Sequence, residues 1–72
     1  MAEMLDYKGL RCPQPVLKFS VKANSLPVGT NVEIHADCHS FPDDISKWCN
    51  DNGKVLVSVV DQEWGHVATI QL

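Results

Sequence analysis

The sequence lacks any apolar run long enough to cross a lipid bilayer, since a membrane-spanning helix needs about 20 mostly apolar residues in succession. Its first residues, Met1 to Asp6, contain neither the basic region nor the apolar core of a secretory signal peptide. Membrane insertion and secretion are therefore both disfavoured. We expect a cytoplasmic protein that makes no use of a membrane.

The sequence lacks the cysteine spacing of the usual cysteine scaffolds. The chain has three cysteines, Cys12, Cys38 and Cys49, and no Cys-x-x-Cys pair. An odd number without a secretory signal does not predict a disulfide framework. A structural zinc site usually has cysteine or histidine ligands paired at short spacing. We therefore expect no metal site.

Basic residues are also few, and the net charge is −3. A nucleic-acid-binding domain usually carries a strong basic patch, so direct binding to nucleic acid is not expected. The basic residues that are present concentrate near the N-terminus, which leaves two interpretations: a docking surface for an acidic partner, or an ordinary solvated helix face. They are Lys8, Arg11, Lys18 and Lys22.

The 72 residues, of which 44% are hydrophobic, suit one globular domain that spans residues 1–72. A chain of this size buries only about 60% of its unfolded surface. It has room for one small core and none for a deep cofactor cavity. We therefore expect no bound cofactor.

The most informative segment is Gly9 to Lys18, which reads Gly-Leu-Arg-Cys-Pro-Gln-Pro-Val-Leu-Lys. Proline is tolerated in the first turn of a helix, where the N–H groups have no partner within the helix. A residue before proline is biased toward extended backbone, as an N-cap residue requires. The pattern therefore predicts a helix over residues 13–24 with Cys12 at its N-terminus.

A thiol in this position is the candidate nucleophile. The helix dipole and nearby Arg11 and Lys18 favour the thiolate, although Pro13 and Pro15 remove two backbone donors, so we expect a moderate lowering of the pKa. The alternative is a structural role for Cys12 in a tight turn, since free cysteine often behaves as a small hydrophobic residue. Cysteine is, however, a poor N-cap.

Periodicity along the rest of the chain predicts the order β-α-β-α-β-β. A right-handed β-α-β connection places parallel strands in one sheet. The fold class is therefore an α/β two-layer sandwich, with a four-stranded mixed sheet and two helices on one face. After the first helix, the predicted elements are a strand over 30–36, a helix from Ser40 or Phe41 to Gly53, and a hairpin of strands over 54–61 and 66–72. In the first hairpin strand, strict alternation places Val55, Val57 and Val59 on one face and Leu56 and Val60 on the other.

The loops after the two parallel strands should meet at one edge of the sheet. These loops hold Cys12 and Cys38, and a disulfide between them needs Cα atoms within about 7 Å. Of the two interpretations, a surface cysteine without a partner is favoured for Cys38 over a second thiol paired with Cys12. His39 is expected to be solvated, and Cys49, at a helical core spacing, to be a buried, inert thiol.

On these residues the chain resembles the TusA/SirA-like sulfur carriers (sulfurtransferases). The resemblance rests on Gly-Leu-x-Cys-Pro-x-Pro at positions 9–15 and Asp-Ile-x-x-Trp at positions 44–48, and it spans nearly the whole chain. It implies a transient persulfide on Cys12, taken from a sulfur donor protein (a cysteine desulfurase or a rhodanese-like protein) and passed to an acceptor protein. The pathway served, whether tRNA thiolation, cofactor synthesis or sulfur oxidation, is left open.

The chain also departs from this family. It has Cys38-His39 where the family usually has Asp-Pro, and Ser20-Val21 where lysines are usual. Two other functions therefore remain open. One is a thiol–disulfide switch of Cys12 and Cys38. The other is a non-catalytic binding module that uses the apolar strand Val55–Val60 or the acidic loop.

Overall fold

The structure is a computed structural model that describes residues 2–11 and 13–72. The predicted order of the elements is confirmed, and their ends differ from the predicted ones by a few residues. The elements are β1 (Ala2–Asp6), α1 (Gln14–Ala23), β2 (Asn31–Ala36), α2 (Phe41–Asn52), β3 (Val55–Gln62) and β4 (Gly65–Gln71).

The four strands form one mixed sheet in the order β1-β2-β4-β3. Strand β1 pairs in parallel with β2, and β4 lies antiparallel to both β2 and β3. The parallel pair brings the carboxyl ends of β1 and β2 to the same edge of the sheet, with Asp6 opposite His35. The predicted α/β two-layer sandwich is therefore confirmed.

The core lies on the face of the sheet that both helices cover. Strand β2 alternates as predicted, with Val32, Ile34 and Ala36 fully buried. Period-two alternation sends these three side chains to one face, where they meet side chains from β4 and both helices. The remaining members of this cluster are Phe19, Phe41, Ile45, Cys49, Ala68 and Ile70.

Strand β3 differs from the alternation predicted for it. Its register against β4 passes from Leu56 directly to Ser58, so Val57 is the extra residue of a β-bulge. The bulge shifts the alternation by one residue, and Leu56 and Val59 both pack against the core. The prediction that Val59 shares a face with Val55 and Val57 is therefore wrong. Val55, Val57 and Val60 are instead about half exposed.

Local sequence features explain where helix α2 begins and ends. Helix α2 has Ser40 as its N-cap, Asp43 and Asp44 in the first turn near the positive end of the dipole, and a left-handed Gly53 at its end. Both helices are short. Across the part of the chain that the structure describes, no helix is long and apolar enough to span a membrane.

Candidate functional site

The loop that follows β1 begins with a tight turn at the carboxyl edge of the sheet. The Tyr7 N–H donates to the His35 carbonyl oxygen over 2.7 Å, which extends the β1–β2 pairing by one residue. The Leu10 N–H then donates to the Tyr7 carbonyl oxygen over 3.3 Å, and Gly9 has a φ of +88°. This φ favours glycine, so Gly9 lets the chain reverse immediately before the Cys-Pro motif.

A carboxylate from the neighbouring loop holds this turn in place. The Gly9 N–H lies 3.1 Å from both carboxylate oxygens of Asp37, the residue that follows β2. Hydrogen bonds to an ionised acceptor are stronger than those between neutral groups. Asp37 therefore ties the loop that carries the motif to the loop that carries Cys38.

The β3–β4 turn packs closely behind Asp37. A Cβ atom on Gly65 would lie 2.5 Å from the Ala36 carbonyl oxygen and 2.6 Å from the Asp37 Cα, both of them backbone atoms. Only glycine fits this close approach without a shift of the backbone. Gly65 thus allows the β3–β4 turn to pack closely against the backbone at the end of β2.

A second contact joins the same hairpin to the motif loop on the open face of the sheet. The Lys8 Nζ lies 5.0 Å from the centroid of the Trp64 ring, and this ring stacks on the His35 imidazole with centroids 5.5 Å apart. Lys8 Nζ also lies 3.9 Å from an Asp6 carboxylate oxygen. Lys8 is therefore engaged with β1 and the hairpin, while Arg11 and Lys18 are exposed.

The start of α1 differs by one residue from the prediction. Pro13 is the N-cap, with φ −98° and ψ 23°, and Pro15 occupies the second helical position. The Gln14 N–H donates to the Arg11 carbonyl oxygen over 2.8 Å. The two prolines have no N–H, and the Gln14 N–H is engaged. This helix start therefore has fewer free backbone donors for an anion than an ordinary helix N-terminus has.

The proposed nucleophile, Cys12, lies outside the described residues, between exposed Arg11 and exposed Pro13. The sequence grouped Pro15 with Pro13 as the helix-start motif. Pro15 is, by contrast, a buried residue of α1. The two prolines therefore differ in role. Pro13 shapes the loop, and Pro15 anchors the first turn of α1.

Cys38 is not the unpartnered surface cysteine that the sequence favoured. It is disulfide-bonded, half-buried, and packed against the core. Its Sγ lies 3.8 Å from the Ser40 Oγ, and this hydroxyl donates to an Asp44 carboxylate oxygen over 3.1 Å. The Phe41 N–H donates to the Cys38 carbonyl oxygen over 3.1 Å. The backbone at Cys38 is thus fixed by the start of α2, and His39 beside it is exposed.

The predicted burial of Cys49 is confirmed. It is a free cysteine with 2% of its surface exposed. Burial raises the pKa of its thiol, because the ionised form loses its hydration. Burial likewise raises the pKa of Tyr7, at the start of the motif loop.

The two helices leave a shallow groove beside the motif. It has an apolar floor that includes the Trp48 ring, which makes an edge-to-face contact with Phe19 at a centroid distance of 4.7 Å. Its rim carries two carboxylates and one ammonium. The lining residues are Pro13, Val16, Leu17, Asp44, Lys47, Trp48 and Asp51.

Sequence reasoning found the motif loop and missed the residues that hold it. It assigned no role to Asp37, Trp64 or Gly65. The one available signal is weak: an aspartate directly follows one strand, and a glycine lies in the loop that follows the neighbouring strand. Among residues 2–11 and 13–72, no group of three or more His, Cys, Asp and Glu side chains is placed to hold a metal ion.

These features define a small α/β sandwich with a Cys-Pro motif in a braced loop at the carboxyl edge of two parallel strands. The family model described as "Sulfurtransferase TusA" matches residues 3–72. The chain therefore belongs to the TusA family of sulfur carriers.

Individual relatives agree with this assignment. The chain is 37% identical over 59 residues to the sulfur carrier protein TusA of Pseudomonas syringae pv. syringae, covering 82% of this chain and 70% of that protein. It is 32% identical over 60 residues to YrkI of Bacillus subtilis, a protein named as a sulfur carrier, covering 83% of this chain and 80% of YrkI. A relative from Halobacterium salinarum, also named as a sulfur carrier, is 37% identical over 65 residues, or 90% of this chain and 78% of its own.

Proposed function

We propose that this chain accepts sulfane sulfur as a persulfide on Cys12 and relays it to an acceptor protein. The observation that carries the proposal is the loop held by Asp37. Its exposed residues Arg11 and Pro13 flank Cys12, in a chain that belongs to a sulfur-carrier family. A carrier needs one accessible thiolate and a surface on which two partners can dock in turn.

The relay needs only two thiolate displacements. The Cys12 thiolate attacks the outer sulfur of a donor persulfide, the donor cysteine leaves as a thiolate, and the sulfane sulfur stays on Cys12. A nucleophile on the acceptor then attacks this outer sulfur, and the Cys12 thiolate leaves. Both steps follow the rules of thiol–disulfide exchange, and neither requires a metal or another cofactor.

Electrostatic support for the thiolate would come from side chains more than from the helix start. Pro13 and Pro15 have no N–H and the Gln14 N–H is engaged, whereas Arg11 is exposed and adjacent to Cys12 in sequence. A neighbouring guanidinium lowers a thiol pKa. We therefore assign thiolate support to Arg11, and to Lys18 a part in contacting partners.

Partner proteins would approach along α1 and the motif loop. Helix α1 exposes 59% of Leu17 and 74% of Val21, close in sequence to the exposed ammonium of Lys18. Val21 stands where the family usually has a lysine, so partner contacts on this helix would be more apolar than in its relatives. The donor would be a cysteine desulfurase or a rhodanese-like protein. We propose a cytoplasmic location, where thiols are kept reduced.

The test is to load the reduced protein with sulfur and locate the adduct. The protein is incubated anaerobically with a cysteine desulfurase and L-cysteine, and intact and peptide mass spectrometry follow. We expect an adduct of one sulfur atom on the peptide that contains Cys12. Cys12→Ser should abolish it, and the matched control Cys49→Ser should load like the unmodified protein. Loading of the Cys12→Ser variant to the same extent would refute the assignment.

A further inference from the structure

We propose that strand β3 is a self-association surface, along which two copies of this chain pair antiparallel and join their sheets into one. The surface is the outer edge of β3, the edge that faces away from β4. This inference concerns the oligomeric state of the chain and does not depend on sulfur transfer.

Strand β3 combines an open edge with an apolar sequence. It lies at one end of the sheet, and among residues 2–11 and 13–72 its only paired strand is β4. Residues 55–60 read Val-Leu-Val-Ser-Val-Val and contain no charge, and Val55, Val57 and Val60 are about half exposed. Edge strands usually carry charges or proline, which prevent pairing with another chain. This edge instead has the composition of a pairing surface.

The β-bulge makes the strand complementary to a second copy of itself. Directly opposite residues of an antiparallel pair project to the same face of the sheet, whereas residues three positions apart in a regular strand project to opposite faces. Because the bulge at Val57 shifts this alternation, Leu56 and Val59 both pack on the core face. A two-fold axis can therefore pass between Val57 and Ser58. It then places Leu56 of one copy opposite Val59 of the other, on the same face.

The same axis brings opposite charges together at both ends of the paired segment. It sets Val55 opposite Val60 and, one position further out, Lys54 of one copy opposite Asp61 of the other. Asp61 is exposed, and its Oδ1 lies 2.8 Å from the His66 Nδ1. A carboxylate accepts several hydrogen bonds, so this contact is compatible with an ammonium from the second copy. Such reciprocal contacts are those of a two-fold dimer.

The bulge also distinguishes a second copy from a strand of another protein. A bulge bends an edge strand and usually opposes pairing with a regular strand. A two-fold axis at the bulge places one bulge opposite the other, so both edges bend in the same way. The occupant that fits this edge is therefore a second copy of the chain.

The proposed dimer leaves the motif loop accessible. Strand β1, which leads into this loop, lies at the opposite end of the sheet and is separated from β3 by β2 and β4. Two copies joined at β3 form one sheet of eight strands, four from each copy. Their two motif loops then follow the outermost strands of the joined sheet.

The first test measures the mass of the full chain in solution, with a reductant present so that no intermolecular disulfide contributes. Size-exclusion chromatography with light scattering is run at loading concentrations up to about 1 mM, where a small interface is populated. We expect the mass to rise from 8.0 kDa toward twice that value and to stop there, because a two-fold contact closes. A chain that stays at 8.0 kDa, or that grows into larger assemblies, would overturn the proposal.

A charge at the proposed axis should separate the two copies. Val57→Lys places two ammonium groups next to each other and should abolish the dimer, since lysine on an edge strand opposes pairing. The matched control is Val28→Lys, which adds the same charge to a side chain that is 89% exposed and lies outside the sheet. It should dimerise like the unmodified protein. Equal dimerisation of both variants would show that β3 is not the interface.

A charge exchange tests the register and does not depend on the stability of any one variant. Lys54→Asp and Asp61→Lys each set like charges opposite one another, so each alone should raise the dissociation constant of the dimer about 10-fold or more. An equimolar mixture of the two should associate more tightly than either variant alone, because the mixed dimer has opposite charges at both ends. A misfolded variant would not recover on mixing. A mixture that associates no better than its components would overturn the proposed pairing.

Discussion

Asp37 accepts the backbone N–H of Gly9 with both of its carboxylate oxygens at 3.1 Å, across 28 positions of sequence. This contact joins the loop after β1 to the loop after β2. The Cys-Pro motif follows Gly9, and Cys38 follows Asp37. One exposed carboxylate thus joins the loop that leads into the motif to the loop after β2.

Replacement of Asp37 by alanine should release the Gly9 amide at a small cost in the stability of the fold. We expect the free energy of unfolding to fall by about 1 kcal/mol, the net value of one hydrogen bond, and Gly9 amide exchange to accelerate. Denaturant unfolding and hydrogen exchange measure these effects. Asp51→Ala, which removes another exposed carboxylate, is the control and should leave Gly9 exchange unchanged. Unchanged Gly9 exchange in Asp37→Ala would contradict this role.

Replacement of Gly65 by alanine should displace the end of β2. The new Cβ would meet two backbone atoms at 2.5 and 2.6 Å, and overpacking of this kind costs about 1–3 kcal/mol. Exchange of the Gly9 amide should accelerate as well, because a shift of Asp37 disturbs its hydrogen bonds with this amide. The control is Gly53→Ala, where φ is +65° and no atom lies within 4 Å of the new Cβ. That variant should lose stability without a change in Gly9 amide exchange. Equal exchange rates in both variants would argue against a role of Gly65 in positioning Asp37.

Cys12 and Cys49 should differ in alkylation rate after reduction. We expect iodoacetamide at neutral pH to label Cys12 far faster than Cys49, which is buried and whose pKa is raised by burial. A raised pKa means less thiolate at a given pH, so burial and ionisation act in the same direction. Peptide mass spectrometry at successive times measures the rates. Unfolding in denaturant should bring the two rates together, and equal rates in the folded protein would contradict the assignment.

The two prolines of the motif should respond differently to alanine. Pro13→Ala should cost about 1 kcal/mol or less, because Pro13 is exposed and its φ of −98° lies outside the usual proline range. Its main effect should be on Cys12 alkylation. Pro15→Ala should cost about 1–2 kcal/mol, because its ring is buried. Thermal or urea unfolding of both variants decides this, and a larger loss for Pro13→Ala would reverse the assignment.

Sequence periodicity predicted the elements because each buries one face against a common core. Val32, Ile34 and Ala36 alternate with polar residues, and the structure buries all three. The same reasoning failed in β3, where the bulge at Val57 shifts the register. A bulge depends on how β3 pairs with β4. The spacing of valines along β3 alone therefore does not predict it.

The sequence by itself determined the Cys-Pro motif, the order of the elements and the burial of Cys49. These follow from local backbone restrictions at proline and from apolar periodicity, which act over a few residues. Only the tertiary structure decided that Asp37 holds Gly9, that Gly65 must lack a side chain, and that Cys38 is disulfide-bonded. The contacts of Asp37 and Gly65 depend on the parallel pairing of β1 with β2 and on the β3–β4 hairpin that packs against them. The distances between their atoms are fixed only when the strands are assembled into one sheet.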